Sequence, residues 1–63
     1  MSFADNLKKQ RGSRGFTQAE LAIACDRPFC WISNYETGRR GPSLKNIRLL
    51  RDVLECSYED LLD

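Results

Sequence analysis

The sequence predicts an all-α fold, a compact bundle of four to five short helices. No stretch alternates apolar and polar residues over the four to eight positions that a half-buried strand needs. Apolar residues instead recur at helical spacing in short segments, and each segment begins at a capping residue or ends at a glycine or a turn. A chain of 63 residues is the size of one domain, so we assign residues 1–63 to a single domain.

The first helix is predicted to begin after Ser2, an N-cap residue, and to be ended by Gly12 and Gly15. Its inward stripe follows the spacing i, i+4, i+8 and consists of Phe3, Leu7 and Arg11. An unpaired buried cation is costly, so Arg11 requires a partner.

The second and third helices are short and close together in the chain. Thr17 and Glu20 form a capping box at the start of the second helix, with Phe16 as a hydrophobic staple. The predicted buried positions of this helix are Leu21, Ala22 and Cys25. Pro28 suits the start of a third helix that runs from Phe29 to about Glu36, with Ile32 and Tyr35 inward and Gly38 as its stop.

Two further helices complete the predicted bundle. Ser43 caps the fourth helix, and its apolar face comprises Leu44, Ile47, Leu50 and Leu54, widened by Leu49 and Val53. Ser57 and Asp60 form a second capping box that opens a short final helix. The apolar residues of this last helix are Tyr58, Leu61 and Leu62.

Composition excludes several function classes. The chain has no histidine, the commonest general base and zinc ligand, and its three cysteines lack a CxxC pair, so we expect no enzyme activity, no metal and no cofactor. Neither a signal peptide nor a membrane-spanning run is evident, which predicts a cytoplasmic protein with reduced thiols.

The net charge of +1 is small for a nucleic-acid-binding protein, but its distribution is polar. Residues 27–51 hold six arginines and lysines against one carboxylate, whereas residues 52–63 hold five carboxylates and no cation. This asymmetry indicates one surface for an anion and another for a different purpose.

Residues 17–36 form a predicted helix-turn-helix, two short helices joined by a turn of three or four residues. In such a unit the second helix enters the DNA major groove while the first crosses the backbone. Helical spacing predicts that Arg27, Trp31 and Asn34 lie on the outward face of the second helix of the pair, with Cys30 and Ser33 flanking them.

The sequence resembles the Cro/repressor-type (XRE-family) helix-turn-helix domain, which has the lambda-repressor-like DNA-binding fold. The resemblance rests on FTQAELA at residues 16–22, ISNYETGRR at residues 32–40 and PSL at residues 42–44. Two positions depart from the family pattern, since Asp26 and Glu55 stand where relatives usually have glycine. We therefore expect a left-handed backbone conformation at Asp26.

The resemblance implies which residues contact DNA. The expected base contacts are Phe29, Cys30 and Asn34. The expected phosphate contacts are Gln18, Arg27, Trp31, Ser33, Arg39 and Arg40. The family also implies a structural ion pair between Arg11 and Glu36, which would provide the partner that Arg11 requires.

Each of these roles has a purely structural alternative. Phe29 and Cys30 would instead be packing residues, and Trp31 would instead cover the edge of a neighbouring helix. Gln18, Arg39 and Arg40 would instead be ordinary solvated side chains, although two arginines beside a recognition helix form a natural phosphate clamp.

The function expected from these residues is a sequence-specific, double-stranded DNA-binding transcriptional regulator, a small repressor that binds a pseudo-palindromic operator as a homodimer. The dimer interface is predicted from apolar residues of the last two helices: Leu49, Val53, Tyr58, Leu61 and Leu62. The alternative is an antitoxin-like protein-interaction module that keeps the fold without reading DNA, since aromatic side chains suit protein contacts.

Overall fold

The computed structural model describes residues 2–62, and within that range it contains five helices and no strand. The helices are α1 (Phe3–Ser13), α2 (Gln18–Ala24), α3 (Phe29–Glu36), α4 (Leu44–Leu54) and α5 (Tyr58–Leu62). This confirms the predicted all-α class. Asp63, one of the five carboxylates of the acidic end, lies outside the described residues.

The predicted helix caps are present. The side-chain oxygens of Ser2, Thr17 and Ser43 each accept a hydrogen bond from the backbone N–H three residues later. Thr17 forms a complete capping box, because its own N–H donates to the Glu20 carboxylate at 2.8 Å. These bonds satisfy donors that a helix leaves unpaired in its first turn.

The same arrangement opens α5. The Ser57 N–H donates to the Asp60 carboxylate at 3.0 Å, and the Asp60 N–H donates to the Ser57 hydroxyl oxygen at 3.1 Å. Hydrogen bonding by the Ser57 backbone, followed by its side chain, lowers the pKa of the Asp60 carboxyl below its usual range. Asp60 therefore carries its charge at neutral pH at the exposed acidic end of the domain.

Within residues 2–62, two non-glycine residues adopt the left-handed conformation, Asp26 with φ of 56° and Glu55 with φ of 52°. This confirms the expectation for Asp26 and shows the same conformation at the other departure from the family pattern. Both residues sit where a helix has ended and the chain turns towards the next one. An L residue in this region costs roughly 1–2 kcal/mol, which glycine avoids.

The core is built from every helix. Its fully buried side chains are Leu7, Leu21, Ile32, Tyr35, Leu50, Leu54 and Leu61. Ala22, Cys25 and Ile47 join them, as the helical spacing predicts. Burial raises the pKa of the Cys25 thiol to about 11, an effect that the nearby charge of Arg27 only partly offsets. Cys25 is therefore a protonated, inert packing residue.

The structure corrects two apolar positions. Leu44, expected on the buried face of α4, is 75% exposed, because burial along α4 begins one turn later at Ile47. Leu61, expected in a dimer interface, is fully buried within this chain. The prediction that its side chain lies in that interface is therefore wrong. Its side chain packs in the core where α5 contacts α1 and α4.

Two asparagine contacts between helices were not predicted. Asn6 is 3% exposed and donates from Nδ2 to the Leu61 carbonyl at 3.0 Å, joining α1 to α5. Asn46 donates from Nδ2 to the Tyr35 hydroxyl at 2.6 Å, joining α4 to α3. A polar residue with such a distant partner carries no signal in helical periodicity.

A polar network centred on Glu36 joins α1, α2 and α3. Arg11 donates from Nε to Glu36 Oε2 at 2.6 Å and from Nη2 to Oε1 at 3.2 Å, while its Nη1 donates to the Phe16 carbonyl at 2.9 Å. Gln18 donates from Nε2 to Glu36 Oε1 at 2.7 Å. The Glu36 side chain is 1% exposed and that of Arg11 is 20% exposed, so solvent screens this pair little.

No helix within residues 2–62 is long and apolar enough to cross a membrane.

The network makes a stability prediction. Arg11→Met leaves the buried Glu36 carboxylate with Gln18 alone, and removing one partner of a buried ion pair costs about 3–5 kcal/mol. A domain of this size has roughly 3–5 kcal/mol of stability in total, so we expect the variant to be largely unfolded at 25 °C. Urea unfolding followed by circular dichroism measures the difference.

Asp52→Asn is the matched control. It removes the Arg51–Asp52 pair, whose side chains are 36% and 62% exposed, and an exposed pair contributes at most about 1 kcal/mol. Equal stability of the two variants would contradict the role given to the Glu36 network.

Candidate nucleic-acid interface

α2 and α3 form the predicted helix-turn-helix. Residues 25–28 connect them, and the Arg27 N–H donates to the Ala22 carbonyl at 2.9 Å as the chain leaves α2. The buried side chains Leu21, Ala22 and Ile32 belong to one core cluster, so the two helices are held together by apolar packing. The second helix of the pair is therefore fixed by the first.

α3 has two distinct faces. Its buried residues are Trp31, Ile32, Tyr35 and Glu36, and its remaining side chains are Phe29, Cys30, Ser33 and Asn34. At 3.6 residues per turn the second group spans an arc of about 140° on the side opposite the first. We call these four residues the outer face of α3.

The outer face brings together all three predicted base-contact residues. Phe29 is 53% exposed and Cys30 is exposed, which argues against the alternative that either is a core packing residue. Asn34 and Ser33 are half-buried one turn further along. Thr37, which was not predicted as a contact residue, follows on the same side of the helix. Its hydroxyl is already engaged, because it donates to the Ser33 carbonyl at 2.9 Å.

The predicted outward position of Trp31 is wrong. Trp31 is 8% exposed and packs edge-on against Tyr35, with ring centroids 5.1 Å apart and an interplanar angle of 83°. It lies only about 40° around the helix from Tyr35, and its large apolar surface favours burial. The Arg27 guanidinium covers the ring at 5.7 Å.

Gln18 is engaged inside the protein. Its side-chain amide donates to Glu36, a role that sequence reasoning missed because the partner lies 18 residues away. The phosphate contact predicted for Gln18 would therefore be made by a half-buried side chain that already holds α2 against the end of α3.

Three cations flank the outer face in sequence. Arg27 precedes α3, and Arg39 and Arg40 follow it, with their backbone N–H groups both donating to the Asn34 carbonyl at 3.0 and 3.2 Å. The side chains of Arg39 and Arg40 are exposed, and neither forms a salt bridge within residues 2–62. Their charges are free for an external anion.

The acidic end of the domain belongs to other elements. Asp52, Glu55, Glu59 and Asp60 are exposed at the end of α4 and along α5, and α5 packs on α1 and α4. The outer face of α3 contains no carboxylate. The exposed carboxylates of residues 52–60 and the outer face of α3 therefore belong to different elements, while Lys9, Arg14 and Arg51 lie near those carboxylates.

The remaining predicted dimer residues lie on α4 and α5. Leu49 and Val53 are half-buried against the core, Leu62 is 51% exposed, and Tyr58 is 38% exposed with the Arg51 guanidinium 4.7 Å from its ring. Within residues 2–62, no group of three or more histidine, cysteine or acidic side chains is placed to hold a metal ion.

Comparison with known proteins agrees with this geometry. The family model described as a helix-turn-helix domain matches residues 2–63. The control protein C.BamHI of Bacillus amyloliquefaciens is 36% identical over 62 residues, which cover 97% of this chain and 76% of that protein.

A solved structure shows the same fold. The restriction-modification controller protein C.AhdI from Aeromonas hydrophila superimposes with a TM-score of 0.87 and 28% identity, over 95% of this chain and 91% of that one. These matches confirm the resemblance recognised from the motifs. Since the family model spans nearly the whole chain, the protein belongs to the helix-turn-helix domain family.

Proposed function

We propose that this protein is a sequence-specific, double-stranded DNA-binding transcriptional regulator, a small repressor of the restriction-modification controller type. The observation that carries the proposal is the outer face of α3, which is free of carboxylates and is followed by Arg39 and Arg40, two exposed cations that form no salt bridge with any residue of the range 2–62. Its similarity to two controller proteins supports the same conclusion. A protein in this role is a regulator rather than an enzyme, and it works in the cytoplasm where bacterial DNA lies.

Base reading is assigned to the outer face. With α3 in the major groove, its first residues Phe29 and Cys30 meet base edges, and Asn34 follows one turn on. Asn34 offers a donor and an acceptor on one side-chain amide, the pairing that recognises adenine. Its half-buried position limits the conformations that it must give up on binding.

Phosphate binding is assigned to the side chains around that face. Arg39 and Arg40 would grip the backbone beyond the end of α3, and Arg27 and Ser33 would hold it nearer the start. Gln18 completes the proposed set, and Trp31, which is 8% exposed and covered by the Arg27 guanidinium, is left out of it. Such contacts fix the orientation of the protein on the duplex without reading its sequence.

The acidic end supports one orientation over the others. Phosphates repel the exposed carboxylates of α5 while they attract the arginines after α3. This asymmetry turns the outer face towards DNA during the encounter and suppresses binding in other orientations.

Dimer formation extends the proposal. A single module of this size makes few contacts, so a two-fold dimer with half-sites about 34 Å apart would supply the specific affinity. The apolar surface offered for it comprises Leu49, Val53, Tyr58 and Leu62. The sequences that the protein selects from a random duplex pool should then be pseudo-palindromic.

A protein-interaction module is the second candidate, and the 53% exposure of Phe29 favours it. Such a module has no need for a phosphate clamp. Binding to random duplex at low salt therefore separates the two candidates, since the interaction module would leave the duplex unbound.

DNA affinity is expected to fall steeply with salt and to depend on Arg39 and Arg40. With six to ten phosphate contacts, the affinity should drop about 10³- to 10⁵-fold between 50 and 200 mM salt. The double variant Arg39→Ala, Arg40→Ala should weaken binding to all duplexes alike and reduce the salt slope by about 2, roughly one for each lost contact. Mobility-shift titrations at several salt concentrations measure both quantities.

Lys9→Ala provides the matched control, because Lys9 lies close enough to Asp60 of α5 to lower the pKa of that carboxyl. Removal of this cation should leave the salt slope unchanged. Equal slopes for the wild type and the double arginine variant would contradict the proposed phosphate clamp.

Thiol labelling gives an independent prediction. Cys30 is exposed on the outer face, so bound DNA should slow its alkylation in proportion to the bound fraction. Cys25 is buried with a pKa of about 11, so it should react slowly with or without DNA. Peptide mapping after a timed reaction distinguishes the sites.

Cys56 is the control for this experiment. It lies between α4 and α5, half-buried, and burial together with the charge of Asp60 raises its thiol pKa. At a protein concentration where the dimer is already formed, DNA should not change its labelling rate. Protection of Cys56 with none at Cys30 would place the bound DNA on the wrong side of the domain.

A further inference from the structure

We infer that the first turn of α3 recognises the C5-methyl group of a pyrimidine in the major groove, through apolar contact with the exposed ring of Phe29. This inference rests on the proposed function and specifies which base chemistry the protein selects. The methyl group belongs to thymine and equally to 5-methylcytosine.

The outer face lacks the side chains that read guanine. Arginine and lysine make the commonest specific base contact, with guanine O6 and N7, but no residue of α3 is a cation. The carboxylate of Glu36, which is the only acidic group in α3, is buried and occupied by Arg11 and Gln18. Guanine and cytosine therefore have no charged partner on this helix.

The polar groups of the outer face lie in its second turn. Ser33 and Asn34 follow Phe29 by four and five residues, a distance of about 6–7.5 Å along the helix axis. Both side chains are half-buried. The first turn of the outer face therefore consists of Phe29 and Cys30, and we assign recognition at the facing base pair to these two residues.

Phe29 is placed to make an apolar contact. It is the first residue of α3. Pro28, the N-cap residue before it, has an extended backbone, and no side chain forms a capping hydrogen bond at this helix start. The core behind it is already filled by Trp31, Ile32 and Tyr35, which leaves the ring 53% exposed. A phenyl ring neither donates nor accepts a conventional hydrogen bond, and the C5-methyl group is the apolar feature of the major-groove edges.

Cys30 extends this apolar surface. It lies about 100° around the helix from Phe29 and is exposed, with a small side chain that is only a weak hydrogen-bond donor. The side chains of the first turn on this face are therefore two adjacent apolar groups, with no strong side-chain donor or acceptor.

The test removes single methyl groups from a selected duplex. Each thymine of one half-site is replaced in turn by uracil, which lacks only the methyl group, and affinities are measured by fluorescence anisotropy. At one position in the first-turn contact region we expect about a fourfold loss, the ratio that corresponds to burial of one methyl group. Phe29→Ala should bind the thymine and uracil duplexes equally, whereas Cys30→Ser should keep the thymine preference.

A cytosine arm separates the two sources of the methyl group. If the selected site has cytosine at the facing position, replacement by 5-methylcytosine should tighten binding about fourfold, and again only when Phe29 is present. Circular dichroism verifies that Phe29→Ala is folded, which the exposure of this ring predicts. If that variant binds too weakly to measure, the wild-type comparison of methylated and unmethylated duplexes decides.

Equal wild-type affinity for every methylated and unmethylated pair would overturn the inference while leaving DNA binding intact. Failure of the protein to retain any duplex in the selection would instead overturn the proposed function.

Discussion

The buried carboxylate of Glu36 is the constraint on which the arrangement of this domain depends. With a side chain only 1% exposed, it must be paired, and Arg11 and Gln18 provide three hydrogen bonds to it from α1 and α2. An unpaired carboxylate in this position would be strongly destabilising. The network therefore fixes the end of α3 against both preceding helices, and apolar packing of Ile32 and Tyr35 fixes the rest. Together they determine which side of α3 is left for a partner.

As a result of this orientation, different elements of the domain present chemically different groups to solvent. The outer face presents Phe29 and Cys30 and is followed by a loop with Arg39 and Arg40, while four exposed carboxylates lie at the end of α4 and along α5: Asp52, Glu55, Glu59 and Asp60. A net charge of +1 conceals this division. The same fold thus combines an anion-binding side with an anion-repelling side, which suits a protein that must dock on DNA in one orientation.

Much of the fold could be predicted from the sequence, because caps and helical periodicity are local signals. Thr17 with Glu20 marks a helix start within a few residues, and Leu21 or Leu50 is identified as core by its spacing alone. The errors occurred where tertiary contacts decide. Trp31 lies at the border between the two faces of α3, and its ring packs against Tyr35 and is buried. Leu61 is buried by elements that are distant in the sequence. Cys30, Ser33 and Asn34 lie on the outer face as helical spacing predicted, but Phe29 takes the place that the prediction gave to Trp31. The use of Gln18 as a partner of Glu36 depends on a contact that no spacing reveals.

In the proposed complex, DNA contacts the outer face of α3 and not the acidic end. Backbone amide chemical shifts of the isotope-labelled protein, followed during titration with its selected duplex, test this most directly. We expect the largest chemical-shift changes at residues 27–40 and only small ones at residues 59–61 of α5. Changes concentrated in α5, with residues 29–34 unaffected, would contradict the account.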